Sequence, residues 1–250
     1  MFEIIKIKIN QGNQTIKDIK KAKISERHRG LPVISEAGCL HNCGYCKEIC
    51  PTGAISVEPI GIDMGKCIFC GDCANKCPDK IIKFTNFYKL AATSREYLNV
   101  NKNTADFDKY AVAARRDIKN NFGRSLKLRS VSAGGCNGCE MELNACSNVN
   151  FDMARFGIEF VASPRHCDGI VITGPVSENM SQPLAETFLS IPDPKILIAA
   201  GSCAISGGVF ADSKAVNRSF FNKYKVDLYI PGCPIHPLTF INGIMSLLGK

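Results

Sequence analysis

The chain has 250 residues, of which 45% are hydrophobic and 22% charged, with 14 cysteines and a formal net charge of +8. This balance is typical of a folded globular protein and argues against disorder; no apolar run is long enough to cross a membrane, and no secretory leader is recognisable. We therefore expect a cytoplasmic protein, in which so many cysteines indicate metal binding rather than disulfides.

A basic arm is predicted over residues 1–30. Between Ile5 and Ile9, isoleucine alternates with lysine, as in an edge strand protected by charge, and a lysine-rich segment follows from Lys17 to Arg29. The positive charge lies beside cysteine-rich segments, and three iron–sulfur cubanes of about −2 each would offset most of it. We interpret the basic balance as counter-charge to metal clusters and expect no nucleic-acid partner.

Residues 31–90 contain an internal cysteine repeat. The repeated residues are Cys43, Cys46 and Cys50 in the first copy and Cys70, Cys73 and Cys77 in the second, each copy ending in Cys-Pro. The second copy reads Cys-x2-Cys-x2-Cys-x3-Cys-Pro from Cys67 onward, which is the spacing of bacterial [4Fe–4S] ferredoxins. An α+β ferredoxin-like domain with two clusters is predicted here.

Crossing the two copies assigns eight cysteines to two cubanes, because the fourth cysteine of such a run binds the other cluster. The Cys67 set is Cys67, Cys70, Cys73 and Cys50, and the Cys39 set is Cys39, Cys43, Cys46 and Cys77. The Cys-Pro endings favour iron–sulfur over zinc, whose structural sites use separated cysteine pairs. The first run begins Cys39-x3-Cys43, one residue longer than the standard spacing. A three-iron cluster, or ligation by His41, therefore remains open beside ligation by Cys39.

A connector with a linker helix is predicted over residues 91–124. Thr104 is a candidate helix cap, and apolar residues from Phe107 to Ile118 fall on one helical stripe. Gly123 would end this helix in the left-handed conformation. No chemistry is assigned to the segment.

From residue 125 to residue 250 the pattern is strands alternating with helices. Strands are predicted at 126–132, 157–162, 169–173, 195–200 and 226–230, and helices near 139–147, 179–190, 213–222 and 236–248. The third, fourth and fifth strand candidates are almost continuously apolar, which is typical of strands buried on both faces of a parallel sheet. The predicted fold class is α/β, with a flavodoxin-like open parallel sheet.

Four further cysteines lie where ligands gather in such folds. Cys136 and Cys139 follow the first predicted strand, Cys203 the fourth and Cys233 the fifth. The carboxyl ends of parallel strands share one edge of a sheet, so these four thiols, the Cys136 set, are expected to form a third metal site. Glycines beside them would let backbone amides approach the sulfurs, and the candidate cofactor-binding residues are Gly135, Gly138, Gly201 and Gly232.

Three motifs around this set are specific: Gly135-Cys136-Asn137-Gly138-Cys139-Glu140, Gly201-Ser202-Cys203-Ala204 and Pro231-Gly232-Cys233-Pro234. Together they resemble the small subunit of [NiFe] hydrogenases, most closely the group 4 or formate hydrogenlyase type, over about residues 126–248. The 20 kDa subunit of complex I is related. It carries two adjacent cysteines where this chain has Cys136-x2-Cys139, so the hydrogenase branch fits better.

The resemblance implies that the Cys136 set binds the cluster proximal to a Ni–Fe site, which makes three [4Fe–4S] clusters in all. Cys146 and Cys167 remain unassigned and are expected to be small buried residues. In this family the Ni–Fe site uses two Cys-x2-Cys pairs, and no such pairs are left here. Hydrogen chemistry would therefore belong to a partner, and no catalytic residue is assigned to this chain.

The implied partners are a [NiFe] hydrogenase large subunit, membrane subunits of the same complex, and an electron donor such as ferredoxin or a formate or CO dehydrogenase module. The chain would be an electron-transfer subunit that is cytoplasmic, or held at the inner face of the membrane by its partners. Two alternatives stay open. One is an electron-transfer subunit of a complex I-like quinone or ferredoxin oxidoreductase, and the other is a free ferredoxin-like carrier.

Overall fold

The computed structural model describes residues 2–35, 39, 43–102, 107 and 111–250. The arm begins with helix α1 (Phe2–Gln11), whose residues are all exposed, so the edge strand predicted from Ile5 to Ile9 is wrong. An unpartnered strand leaves its backbone amides and carbonyls unpaired, whereas a helix pairs them internally. The rest of the arm lies on the protein: Ile19 is buried, and the Ile16 N–H donates to the Asn150 carbonyl.

The cysteine-rich region consists of short strands and two short helices. Its elements are β1 (Pro32–Ile34), α2 (Tyr45–Glu48), β2 (Ile55–Val57), β3 (Ile60–Asp63), α3 (Asp72–Lys76), β4 (Ile82–Phe84) and β5 (Asn99–Val100). Strands β1 and β4 pair antiparallel, and β2, β3 and β5 form a second antiparallel sheet. This α+β arrangement agrees with the ferredoxin-like fold predicted for the region.

The linker helix is not continuous as predicted: Phe107 is helical, but residues 111–115 are not. Its proposed cap, Thr104, lies outside the described residues, and between residues 111 and 125 the chain is helical only in α4 (Arg116–Phe122). Gly123 follows that helix with φ −63°, so it does not adopt the left-handed conformation predicted for it.

Two causes keep residues 111–115 out of the helix. Their backbone groups bond to other segments: the Ala111 carbonyl accepts from the Thr93 N–H (2.8 Å), and the Arg115 N–H donates to the Leu247 carbonyl (3.3 Å). In addition, Ala111 and Ile118 belong to two different hydrophobic cores. One straight apolar stripe cannot face both cores, so the chain leaves the helical path between them.

The C-terminal half contains a five-stranded parallel sheet, as predicted. Its strands are β6 (Leu126–Ser132), β7 (Ile158–Phe160), β8 (Gly169–Thr173), β9 (Ile196–Ala200) and β10 (Leu228–Ile230). Their order across the sheet is β10-β9-β8-β6-β7, with all neighbours parallel. Counted from β6 as the first strand, this order is 2-1-3-4-5 read from β7. That is the flavodoxin-like order, and the predicted fold class is confirmed.

Five helices accompany this sheet: α5 (Gly138–Ala145), α6 (Glu178–Leu189), α7 (Ser202–Ser206), α8 (Ser219–Lys223) and α9 (Pro237–Leu247). The helix predicted at 213–222 is reduced to α8, because Val216 forms a β-bridge with Ser177 and the Asn217 N–H donates to the Val176 carbonyl. In the described part of the chain, no helix combines the length and apolar character needed to cross a lipid bilayer.

The sheet is buried on both faces. Along β8, Ile170 and Ile172 pack into one hydrophobic core and Val171 into the other, following the alternation of side chains along a strand. Helix α9 packs in the second core. The first core also contains apolar side chains of the cysteine-rich region, among them Ile55, Ile62 and Leu98. The cysteine-rich region and one face of the sheet therefore share a continuous core.

Candidate metal centres

The Cys136 set lies at the carboxyl-end edge of the parallel sheet. Cys136 follows β6, Cys139 lies in the first turn of α5, Cys203 lies in the first turn of α7 after β9, and Cys233 follows β10. The strand order changes direction between β6 and β8, which is where open α/β sheets bind their ligands. The four cysteines predicted as one set thus come from loops at this edge of the sheet, after β6, β9 and β10, and only the β6 loop adjoins the switch point.

These four thiols are close enough to influence one another. The charges of Cys233 and Cys136 raise the pKa of Cys203, and those of Cys203 and Cys233 raise the pKa of Cys139. Burial is the main cause that raises the pKa of Cys139 to about 12 and that of Cys203 to about 11, and the neighbouring thiols act in the same direction. Iron binds the thiolate, so binding at this site releases protons that burial otherwise retains.

Two glycines form a cradle for these sulfurs. A Cβ added to Gly201 would lie 2.7 Å from Cys139 Sγ, and one added to Gly208 would lie 2.9 Å from Cys203 Sγ. The Ile235 backbone N–H also donates to the Cys139 sulfur, as anionic sulfur ligands require. The donor set and the space beside it therefore fit an iron–sulfur cluster. Gly208 is outside the predicted cofactor-binding residues, although it adjoins the Cys203 motif.

The other predicted glycines serve the site in different ways. A Cβ on Gly138 would make an ordinary contact with Cys136 Sγ at 3.6 Å. Gly135 instead allows a close approach to Gly174, where a Cβ would lie 3.0 Å from the Gly174 Cα, and Gly232 allows one to the Ile235 backbone at 2.7 Å. These two glycines permit tight loop packing rather than direct contact with sulfur.

Gly201→Ala is expected to displace the Cys139 thiol and to prevent loading of the Cys136 set. Gly201 has φ +92°, where a side chain is strained, and the added Cβ would overlap the sulfur. We expect the variant to lose roughly four of about twelve iron atoms, measured by iron and sulfide analysis after anaerobic purification. Gly12→Ala is the control, because Gly12 also has positive φ (+64°) but no atom within 4 Å of an added Cβ. Full iron content in Gly201→Ala would contradict the cradle.

Glu140 lies beside the Cys136 set with its carboxylate already paired. The Thr173 hydroxyl donates to Glu140 Oε1 (2.6 Å), and the Ser132 side chain bonds to the same carboxylate. Burial raises the pKa of Glu140, but these two hydrogen bonds outweigh it and hold the pKa below its usual value. Glu140 therefore ties the first turn of α5 to the ends of β6 and β8. For Glu142, burial raises the pKa.

The Cys67 set lines one small cavity in the cysteine-rich region; its walls include Cys50, Cys67, Cys70, Cys73, Ile55, Ile62 and Phe84. Burial, followed by the neighbouring thiols, raises the pKa of Cys67 to about 12 and that of Cys73 to about 11. Backbone N–H groups of Phe69 and Ala54 donate to Cys67 Sγ and Cys50 Sγ, both at 3.3 Å. Cys50 thus lies with the second copy of the repeat, and amide donors face the sulfurs as they do around bound clusters.

The Cys39 set lies beside the Cys67 set. Cys46 interacts electrostatically with Cys77, Cys39 and Cys43, and Cys73 of the Cys67 set interacts with Cys46. The alternative ligand His41 lies outside the described residues. Within the described ranges, no three His, Cys, Asp or Glu side chains could hold a single metal ion. A cubane makes a different demand, because each of its four thiolates binds a different iron.

Cys146 and Cys167 are buried, as predicted for the two unassigned cysteines. The Cys146 thiol donates to the Glu142 carbonyl (3.3 Å), and the Cys167 thiol donates to the Pro164 carbonyl (3.0 Å). Burial raises the pKa of Cys146 to about 12. Both residues behave as small buried side chains with a local hydrogen bond.

Arg218 is a site residue that sequence reasoning missed. Its guanidinium donates to the carbonyls of Ala204 (2.8 Å), Ile205 (2.9 Å) and Cys203 (3.4 Å), and so satisfies the backbone of α7. Burial, and then the neighbouring Arg95, lower the pKa of Arg218 to about 10, which still leaves it protonated at neutral pH. A lone arginine between two helices has no spacing pattern, so the sequence carried no signal for this role.

Comparisons with known proteins match two separate parts of the chain. Residues 136–247 match the family described as NADH ubiquinone oxidoreductase, 20 Kd subunit, and residues 60–83 match a 4Fe-4S binding domain. The chain is 38% identical over 129 residues to the probable membrane-bound hydrogenase subunit mbhJ of Pyrococcus furiosus, a match that covers 52% of this chain and 77% of that protein.

Two further relatives represent the two branches. Formate hydrogenlyase subunit 7 of Escherichia coli is 40% identical over 142 residues, covering 57% of this chain and 56% of that protein. An NADH-quinone oxidoreductase subunit of Heliobacterium modesticaldum is 41% identical over 132 residues, covering 52% of this chain and 74% of that protein. The three matches each span about half of this chain.

Proposed function

The chain belongs to the family of the NADH ubiquinone oxidoreductase 20 kDa subunit, and we propose that it is the iron–sulfur electron-transfer subunit of a multisubunit [NiFe] hydrogenase. The observation that carries the proposal is the meeting of four thiols at the carboxyl-end edge of the sheet, where Gly201 and Gly208 make room for the sulfurs of Cys139 and Cys203. Ferredoxin-like cysteines belong to the hydrophobic core that covers one face of the same sheet, which supports a relay between the two parts. Two of the relatives are named as hydrogenase subunits.

Each of the three cysteine sets would hold one [4Fe–4S] cluster, two within residues 31–90 and one within residues 125–250. A bound [4Fe–4S] cluster supplies one-electron transfer. The chain would contribute the thiolates and the backbone N–H donors at Phe69, Ala54 and Ile235. Of the proposed ligands, Cys67, Cys73 and Cys77 are buried, whereas Cys39, Cys43, Cys136 and Cys233 are exposed.

The hydrogen-converting centre would lie on a partner large subunit. Outside the three sets, Cys146 and Cys167 are the two remaining cysteines of the sequence. Both are buried, and their thiols bond to backbone carbonyls, so they do not supply the paired cysteine ligands of a Ni–Fe site. A low-potential donor, such as ferredoxin or a formate or CO dehydrogenase module, would deliver electrons to the ferredoxin-like part. Membrane subunits of the same complex would hold the chain at the membrane surface.

A complex I-like quinone or ferredoxin oxidoreductase is the second candidate. It is favoured by the match to the NADH-quinone oxidoreductase subunit and by the name of the family. The spacing of Cys136 and Cys139, with two residues between them, favours the hydrogenase assignment over this one. Both candidates use the chain as an electron relay and differ in the partner that receives the electrons.

The anaerobically purified chain is expected to contain about twelve iron atoms and a similar number of sulfides, because three cubanes hold four iron atoms each. Metal analysis and EPR of the reduced protein would measure this. A content of about eight iron atoms in fully loaded protein would remove one set, first the Cys39 set with its longer spacing. Stoichiometric zinc in place of iron would refute all three assignments.

The function itself is tested by purifying the native complex through this chain. We expect a nickel-containing large subunit to co-purify and the complex to evolve or consume hydrogen with a viologen as electron carrier. A nickel-free complex that reduces quinone without turning over hydrogen would support the complex I-like candidate. A monomeric chain that exchanges electrons with many proteins would make it a simple carrier.

A further inference from the structure

The hydroxyl of Ser202 links the cysteine-rich region to the sheet domain, between a ligand loop of the Cys67 set and two ligand loops of the Cys136 set. Ser202 is 1% exposed, and its Oγ lies 2.6 Å from the carbonyl oxygen of Cys67 and 3.1 Å from that of Gly232. Cys67 belongs to one set, while Ser202 and Gly232 directly precede Cys203 and Cys233 of another. One buried side chain thus touches the ligand loops of both sets.

The two contacts of Ser202 are not equivalent. A hydroxyl carries a single proton, and the shorter contact to the Cys67 carbonyl takes it. The Gly232 carbonyl also receives the Ser202 backbone N–H at 2.9 Å, so it is satisfied without the side chain. The hydroxyl therefore serves the Cys67 carbonyl, and the Ser202 backbone serves the Gly232 carbonyl.

The surrounding packing leaves little freedom at this junction. A Cβ added to Gly65 would lie 2.8 Å from Cγ2 of Ile205, so the loop before Cys67 lies directly on α7. The same loop is braced by Asp63, which accepts the Gly65 N–H (2.8 Å) and pairs with Arg95 (2.6 Å). The Cys67 loop and the Cys203 loop are therefore held in a fixed relative position, and the Ser202 hydroxyl forms the hydrogen bond between them.

We propose that Ser202 is a positioning residue that sets the electronic coupling between the Cys67 set and the Cys136 set. The proposal rests on the electron-relay function proposed above. One electron, supplied by the low-potential donor, leaves the Cys67 side, which is oxidised, and reaches the Cys136 side, which is reduced; no bond forms or breaks and no proton is transferred. The path runs from the Cys67 backbone through the Ser202 hydroxyl to the adjoining Cys203.

The test compares Ser202→Ala with Ser206→Ala in the full, cluster-loaded chain. Ser206 lies on the same short helix; its hydroxyl donates to the Ser202 carbonyl (3.0 Å) and accepts the Gly208 N–H (3.2 Å). Its loss therefore removes two bonds on the Cys203 side without touching the Cys67 loop, which makes it a control for disturbance of that side alone. After flash photoreduction, freeze-quench EPR would follow electrons passing from the ferredoxin-like clusters to the Cys136 cluster. Spin–spin interaction between these clusters is the second readout, and a purely stabilising hydroxyl would not change it in fully folded protein.

We expect Ser202→Ala to slow this transfer severalfold and to weaken the spin–spin interaction, because the hydroxyl that links the Cys67 carbonyl to the Cys203 loop is gone. Ser206→Ala should match the wild type, and Ser202→Thr, which keeps the hydroxyl, should restore most of the rate. If Ser202→Ala loads incompletely, the transfer rate and the spin–spin interaction are measured on its fully loaded fraction, which is separated by its iron content.

Three outcomes separate this inference from the function on which it rests. Equal transfer rates and equal spin–spin interaction in fully loaded wild type and Ser202→Ala would overturn the role of Ser202 and leave the relay function intact. A wild-type chain without iron–sulfur clusters would overturn the relay function itself. Slowing by Ser206→Ala to the same extent would also overturn the inference, because the effect would then belong to the helix and not to the bridge.

Discussion

Replacing Cys203 with alanine is expected to remove the cluster of the Cys136 set and to leave both ferredoxin-like clusters in place. Cys203 interacts with Cys233 and Cys136, and its loss takes away one thiolate and the common anchor of these loops. Iron content should fall from about twelve to about eight atoms per chain, and hydrogen turnover by the complex should fall to background. EPR of the reduced protein would show which signals remain.

Cys146→Ala is the matched control for this variant. Cys146 is a buried cysteine at the end of α5, but its thiol bonds only to the Glu142 carbonyl. The Cys146→Ala variant should keep all three clusters, and its free energy of unfolding should fall by about 1 kcal/mol. If Cys203→Ala instead abolished the ferredoxin-like signals as completely as the third, the proposed separation of residues 31–90 from residues 125–250 would be wrong.

Arg218→Met is expected to destabilise the loop that carries Cys203. The guanidinium donates to three carbonyls of α7. Methionine would remove this donor from the Ala204 and Ile205 carbonyls, while the Cys203 carbonyl would keep the Gly207 N–H (2.8 Å). We expect a loss of roughly 2–4 kcal/mol in the free energy of unfolding, because each charge-assisted hydrogen bond contributes about 1.5–3 kcal/mol and the contributions are not additive. Thermal unfolding under anaerobic conditions measures this as a drop in Tm of several degrees.

Arg116→Met provides the comparison for Arg218→Met. Arg116 is an exposed residue at the start of α4, so its replacement should change stability by no more than about 0.5 kcal/mol. Arg218→Lys should be intermediate, since lysine keeps the charge but lacks the planar fork that reaches several acceptors at once. Equal Tm values for Arg218→Met and the wild type would show that the α7 carbonyls find other partners.

The strand pattern and the cysteine spacings could be interpreted from residue types and their order along the chain. The apolar runs of β8 and β9 predicted a sheet buried on both faces, and both strands are buried along their whole length. The crossed assignment of Cys50 to the second copy of the repeat needed only the spacing rule for ferredoxins and stays a prediction. The structure places Cys50 in the wall of the cavity that Cys67, Cys70 and Cys73 also line. These features depend on residues close in sequence or on a topology that the pattern implies.

The local sequence pattern predicted the wrong secondary structure in three segments. The alternation from Ile5 to Ile9 suits a strand, yet the segment is helical within α1, where the helix satisfies the backbone without a partner. Residues 111–115 and 213–218 have the pattern of helices, but their backbone groups bond to distant segments. Secondary-structure propensity over a short window does not include hydrogen bonds to distant segments, so it cannot predict where they replace a helix.

By itself, the sequence determined the fold class and the kind of ligand this protein can hold, because burial pattern and thiol chemistry are properties of residue types at fixed spacing. The tertiary structure alone decided which loops meet, and hence the parts played by Ser202, Gly208 and Arg218. Ser202 reaches the Cys67 carbonyl across 135 positions, and Arg218 reaches the Ala204 carbonyl from another loop. Such contacts form only when the cysteine-rich region packs on the sheet, since a hydroxyl or guanidinium gains a partner from proximity in space and not from its neighbours along the chain.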